Sequence, residues 1–156
     1  MSATDELYAE LKPYIQQLVD PLFEFSEQCL RKRGNFLPHG AILDDTGKLT
    51  LIAAAPDSGK DWTNSTEILP VLHDGLRQHS REQPLKAIGV AENVTVTLEG
   101  KRSTQAIKVL IEHRRGLAVA LYLPFEKTLL RGYSFGTVFT VSVKPEVNAW
   151  STANDA

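Results

Sequence analysis

At 156 residues, with 42% hydrophobic and 23% charged side chains, the chain has the make-up of one ordinary globular domain, which excludes a disordered or fibrous class. A net charge of −2 sets up no overall field to gather nucleic acid or an anionic membrane, so a partner of neither kind is expected. The single cysteine, Cys29, rules out an internal disulfide. The opening residues lack the apolar core of a secretory signal, and no run is long enough to span a bilayer, so the expected location is the cytoplasm.

From Thr4 to Arg33 the apolar residues Leu7, Leu11, Tyr14, Leu18, Leu22, Phe25 and Cys29 recur at helical spacing, predicting an amphipathic helix with Cys29 in the core. Pro13 and Pro21 interrupt it and predict a kink or two abutting helices, and Gly34 closes it as a left-handed cap. Phe36 to Ala55 reads as a hairpin around Asp45-Thr46-Gly47, in which a three-residue loop pairs Leu43 with Leu49 and Ala41 with Leu51. Pro56 to Trp62 is a loop. Asn64 and Glu67 then make a capping box for a second helix that buries Ile68, Leu72, Leu76 and His79 and stops at Pro84.

Four period-two runs follow, Ile88 to Leu98, Ala106 to His113, Leu117 to Leu123 and Phe135 to Val143, and their short glycine-containing breaks describe an antiparallel meander. A two-residue turn at Gly100-Lys101 would set Glu99 opposite Arg102 and put Ile88, Val90 and Val94 on the face of Ile107, Val109 and Ile111. A three-residue loop at Arg114-Arg115-Gly116 pairs Val109 with Leu121 and Ile111 with Val119. The face made by Ala118, Ala120 and Tyr122 is too apolar for water and should be covered by a helix or a second subunit. The expected class is α+β, in the order α-β-β-α-β-β-β-β, with helices packed on the sheet. Residues 1–150 form one domain and the polar tail 151–156 is frayed.

Motifs that suggest chemistry fail on their surroundings. Gly132-Tyr133-Ser134-Phe135-Gly136 matches the G-x-S-x-G nucleophile elbow, yet a strand follows it and every histidine precedes Ser134, against the order that the elbow requires. Gly59-Lys60-Asp61 lacks the upstream glycine and the following hydroxyl of a phosphate loop. His73 and His79 are six apart on one helix and point in different directions. No catalytic residue, metal site or cofactor is therefore expected. Arg31-Lys32-Arg33, Lys101-Arg102 and Arg114-Arg115 lie at element ends, where charge faces water. Glu92 is the informative exception. Strand parity sets it between Val90 and Val94, beside Val109 or Ile111 and within diagonal reach of His113, where a carboxylate needs a partner, a raised pKa or a bulge.

Phe36-Leu37-Pro38-His39-Gly40-Ala41, with the acidic turn at Asp44-Asp45 and Gly47-Lys48, resembles small bacterial proteins of unassigned activity that carry an F-x-P-x-G-A hairpin after a long first helix. The likeness extends loosely to Glu112-His113-Arg114 and Tyr122-Leu123-Pro124, and it implies a bacterial cytoplasmic protein. The element order is also similar to that of roadblock and profilin-like domains, a likeness of topology that carries no function. The expected function is a noncatalytic protein-interaction or binding module, a homodimer or a toxin-immunity-like protein. Its partner would be another protein or a second copy, met either by the first hairpin or by a sheet face of Ala118, Ala120, Tyr122 and Val138. The alternative is a small-molecule binder or enzyme with a pocket of Glu92, His113, His39 and Arg115.

Overall fold

The computed structural model describes residues 3–53, 65–97, 100, 102–130 and 132–150. The expected loop at Pro56 to Trp62, the Asn64 cap, the Glu99 and Lys101 turn positions and the tail from Ser151 lie outside the described residues. Helix α1 runs unbroken over Ala3–Arg33 with both prolines inside it, so of the two alternatives expected from sequence, a kink or two abutting helices, the second does not occur. Pro13 is exposed and Pro21 half-buried, and the carbonyls they leave without an amide partner, those of Ala9 and Gln17, belong to exposed residues. The buried stripe is Leu11, Ile15, Leu18, Val19, Leu22, Phe23, Ser26 and Leu30. This face is rotated from the expected one. Tyr14 turns outward beneath the Lys86 ammonium, 4.9 Å from its ring, and Cys29 is partly buried at the margin of the core.

The remaining elements are β1 (His39–Asp44), β2 (Leu49–Ala53), α2 (Ser65–Glu82), β3 (Leu85–Thr97), β4 (Ser103–His113), β5 (Ala118–Thr128), β6 (Gly132–Phe135) and β7 (Phe139–Ser142). They form an α+β fold around one antiparallel sheet in the order β2-β1-β3-β4-β5-β6, with β7 also paired to β5. The helices take opposite faces. Helix α1 packs on Ala41, Leu43, Ala87, Ala91, Ile107, Val109 and Ile111, whereas α2 packs Leu72 and Leu76 on Ile42, Ile88, Val90 and Leu110. His79 is only partly buried.

The expected last strand, Phe135 to Val143, is split in two. Pairing passes from Phe125↔Phe135 to Tyr122↔Phe139, so residues 136–138 oppose only 123 and 124. The cause is Pro124, which lacks the amide that an uninterrupted neighbour would accept, while its carbonyl takes the Gly136 amide at 2.8 Å.

Two turns match their expected register. Leu43 pairs with Leu49 and Ala41 with Leu51, while Val109 pairs with Leu121 and Ile111 with Val119. The β3–β4 turn does not. Thr97 opposes Ser103, and Ile88, Val90 and Glu92 oppose Glu112, Leu110 and Lys108, a one-residue slip that moves Ile107, Val109 and Ile111 to the α1 face. Strands buried on both faces carry little alternation by which to choose between the two registers.

The face of Ala118 and Ala120 is already buried within one chain, on the side of the sheet opposite α1. After β7 the segment 143–150 crosses this face beside α2, with the Val143 amide bonded to the Ala118 carbonyl at 3.1 Å. Arg77 Nε donates to the Val147 carbonyl and Ser80 Oγ to the Ala149 carbonyl, each at 2.6 Å. The carboxylate of Glu112, only 2% exposed, accepts three successive amides: Glu146 at 2.7 Å and Val147 at 2.8 Å on Oε2, and Asn148 at 2.9 Å on Oε1. Three charge-assisted bonds repay the desolvation of the carboxylate and fasten the segment.

Gly116 sits at φ +93° with its amide on the His113 carbonyl at 2.9 Å. A Cβ there would meet no other atom within 4 Å, so the cost of Gly116→Ala is backbone strain alone, roughly 1 kcal/mol. Urea unfolding should show that loss, and an unchanged midpoint would contradict the turn geometry.

Candidate functional site

The four residues of the expected pocket occupy three separate places. Glu92 lies on the α2 face with its carboxylate 3.5 Å from Lys108 Nζ, which also holds Glu146 at 2.7 Å. Its partner is thus the lysine directly across the ladder, not His113, and it has not bulged out to solvent. Burial pushes the Glu92 carboxyl up against the opposing charge of Lys108. Burial also works against the Lys108 ammonium, but the hydrogen bond and charge of Glu146, with Glu92 behind them, hold its pKa above the ordinary value. His73 reaches the same group of charges from α2, and its pKa is lowered by burial and by Arg77.

His113 ends β4 opposite Ala87 and therefore belongs to the α1 face. It lies five positions beyond Lys108, about 17 Å along a strand. Its Nδ1 accepts the Arg115 amide at 3.1 Å. Burial lowers its pKa, and Arg114, Arg115 and Lys86 act in the same direction. The Arg115 guanidinium turns away to Glu10 at 2.7 Å, and Arg114 pairs with Asp45.

His39 lies at the start of β1, four ladder positions from His113 along β3. Its Nδ1 is 2.9 Å from the Leu37 carbonyl and its Nε2 3.3 Å from Ser26 Oγ, whose hydroxyl donates to the Leu22 carbonyl at 2.8 Å. Phe25 and Phe36 meet its ring edge-on at 4.7 and 5.7 Å. Burial lowers its pKa against the pull of the Leu37 and Leu22 carbonyls. This is a packed core histidine that ties β1 to α1.

Three histidines with depressed folded pKa values fix the sign of a pH effect. Below the ordinary imidazole value of 6.5 the unfolded chain takes up protons that the folded chain refuses. Stability is therefore complete above that value and declines as pH falls toward the folded values. Glu92 acts oppositely, adding stability as pH falls from its raised value toward 4.5. Urea midpoints measured about one unit above and one unit below the ordinary histidine value should differ, with the acid midpoint lower. Equal midpoints would contradict the burial of these rings.

Ser134 stands in β6 opposite Glu126, with no following helix. It lines an open groove of about 640 Å³ with Arg102, Thr104, Glu126, Phe135 and Gly136, and no histidine borders it. Among the described residues no group of three His, Cys, Asp or Glu is placed to hold a metal ion, and no helix is long and apolar enough to cross a membrane.

The expected interaction face does not assemble either. Ala118 and Ala120 are buried beneath 143–150, Tyr122 stacks on Phe139 at 5.1 Å between centroids, and Val138 lies exposed in the edge bulge. The most exposed apolar side chains are Leu129 and Leu130 after β5, and Val71 and Val141 are exposed singly; on and beside the first hairpin three occur, Leu51 (48%), Leu37 (44%) and Phe25 (42%). Leu51 belongs to β2, an end strand of the sheet among the described residues. The signal was present in Leu49-Thr50-Leu51-Ile52-Ala53, a strand without a charge, but its edge position depends on strand order, which sequence alternation does not carry. No family model matches the chain, and neither the curated proteins nor the solved structures compared with it include a similar one.

Proposed function

We propose that this protein is a noncatalytic interaction module that docks a protein strand along the outer edge of its first hairpin. The carrying observation is that among the described residues β2 ends the sheet as five uncharged residues, with Leu51 nearly half exposed. Soluble proteins blunt such edges with charge, proline or a bulge, because the free amides and carbonyls template further pairing. Main-chain bonds would supply affinity and the apolar side chains selectivity. The F-x-P-x-G-A resemblance and the unpaired, half-buried cysteine fit a bacterial cytoplasmic setting for this module.

The test is photo-crosslinking from a benzoylphenylalanine at position 51 in cells of the source organism, with adducts identified by mass spectrometry. A specific protein adduct that disappears in Ala53→Pro, which removes an edge amide, is the expected result. Absence of any adduct would overturn the reading.

A further inference from the structure

Resting on the reading that the β2 edge is the docking element, we infer that its occupant is a second copy of this chain, paired β2 to β2 about a two-fold axis at Leu51. The hydrogen-bond parity of the hairpin supports this register. The Asp44 amide bonds the Lys48 carbonyl at 3.1 Å, which makes Asp44 and Lys48 a bonded pair. In an antiparallel ladder bonded pairs alternate, so Ile42–Thr50 and Gly40–Ile52 are the next two, and Thr50 and Ile52 direct their backbone groups at β1. The amides and carbonyls of Leu49, Leu51 and Ala53 then point outward. Centring the axis on Leu51 pairs Leu51 with Leu51 and Leu49 with Ala53, so every outward-facing residue of one copy meets an outward-facing residue of the other.

The side chains agree with the backbone. The axis stands normal to the sheet, so both Leu51 side chains fall on the same face, the one that carries α1 and the exposed Phe25. Thr50 falls opposite Ile52 on the other face. Between Leu49 and Ala53 there is no charge, so no like charges meet across the axis, the arrangement that would destabilise a self-pair.

The opposite edge explains why the assembly closes. A head-to-tail union of β2 with β6 and β7 would repeat without limit. That edge consists of two four-residue strands broken by the bulge at 136–138, a standard protection against pairing. The two-fold union uses only the unprotected edge and leaves the protected one outside.

In the bonded pair at the axis the Leu51 Cα atoms would lie about 5.5 Å apart, within the span of a disulfide. Leu51→Cys in a Cys29→Ser background should therefore oxidise to a covalent dimer, whereas Val141→Cys, on exposed β7, should not. In sedimentation the wild-type protein should be a dimer. Ala53→Pro and Leu51→Lys should each weaken association by at least about tenfold, equivalent to 1.4 kcal/mol, and Ala53→Pro should keep the wild-type far-UV dichroism. A monomer at the highest attainable concentration, or equal disulfide yields at positions 51 and 141, would overturn the second-copy inference. If position 51 then captures a different, identified protein in an Ala53→Pro-sensitive way, the docking-edge reading stands and only the identity of the occupant is wrong. If it captures nothing, both fall.

Discussion

Glu112→Ala should destabilise the protein by roughly 3–5 kcal/mol, because it orphans three amides and releases the segment that covers one face of the sheet. The Glu112 oxygens hold the amides of Glu146, Val147 and Asn148 between 2.7 and 2.9 Å. Alanine offers no acceptor, so the amides would depend on water entering the half-open cavity of about 140 Å³ that Glu112 lines with Pro145, Asn148 and Trp150, and the segment would loosen over Ala118 and Ala120. Those residues and Val147 are buried, so they would be exposed as the segment lifts. Glu112→Gln should cost less, roughly 1–3 kcal/mol, since its carbonyl oxygen can still take two amides while its NH₂ group faces the third. Urea unfolding of both variants is the measurement. A loss below about 1 kcal/mol for the alanine variant would mean that the three bonds do not hold the segment in solution.

Leu22→Ala should cost roughly 3–5 kcal/mol as a cavity-forming change at the centre of the larger core. Leu22 is fully buried between α1 and the sheet, directly over Gly89. A Cβ built on Gly89 would stand 2.6 Å from Leu22 Cδ1 and 3.0 Å from Ile111 Cδ1. The helix approaches this closely because β3 has no side chain at that point. Gly89→Ala alone should therefore cost roughly 1–3 kcal/mol through overpacking. With Leu22→Ala already in place the nearest obstacle is gone, and the added methyl partly fills the cavity. The double variant should be more stable than the sum of the two losses predicts, by about 1 kcal/mol or more. Strict additivity would place Leu22 away from Gly89.

How far these features could be read from sequence depends on the range of the interaction. Turns were legible because they are local: the loop lengths at Asp45-Thr46-Gly47 and Arg114-Arg115-Gly116 set the pairings Leu43↔Leu49 and Ile111↔Val119, and Gly116 takes the positive φ its loop requires. The element order follows from periodicity for the same reason. The β3–β4 register was not legible, because Ile88 and Val90 on one face and Ala87 and Ala91 on the other are all buried. Parity correctly gave Glu92 to the face of Val90, but the slipped register hid Lys108 as its partner. The segment 143–150 has no period to announce it, and its anchor, Glu112, reads locally as a strand-end charge. The expected pocket failed because parity and strand order together put Glu92 and His113 on opposite faces. The pairings of Leu49 and Leu51 were legible from the hairpin loop, but that β2 then ends the sheet depends on strand order, which alternation does not carry.

The most direct test of the docking edge is amide hydrogen exchange of β2 as a function of protein concentration. Thr50 and Ile52, bonded inward to β1, should be protected at all concentrations. Leu49, Leu51 and Ala53 should be protected at high concentration and lose that protection on dilution, and Ala53→Pro should remove the concentration dependence. Exchange at Leu49 and Leu51 that is fast and indifferent to concentration would contradict β2 pairing between copies. Slow exchange that persists on dilution would show that the edge is already occupied within one chain.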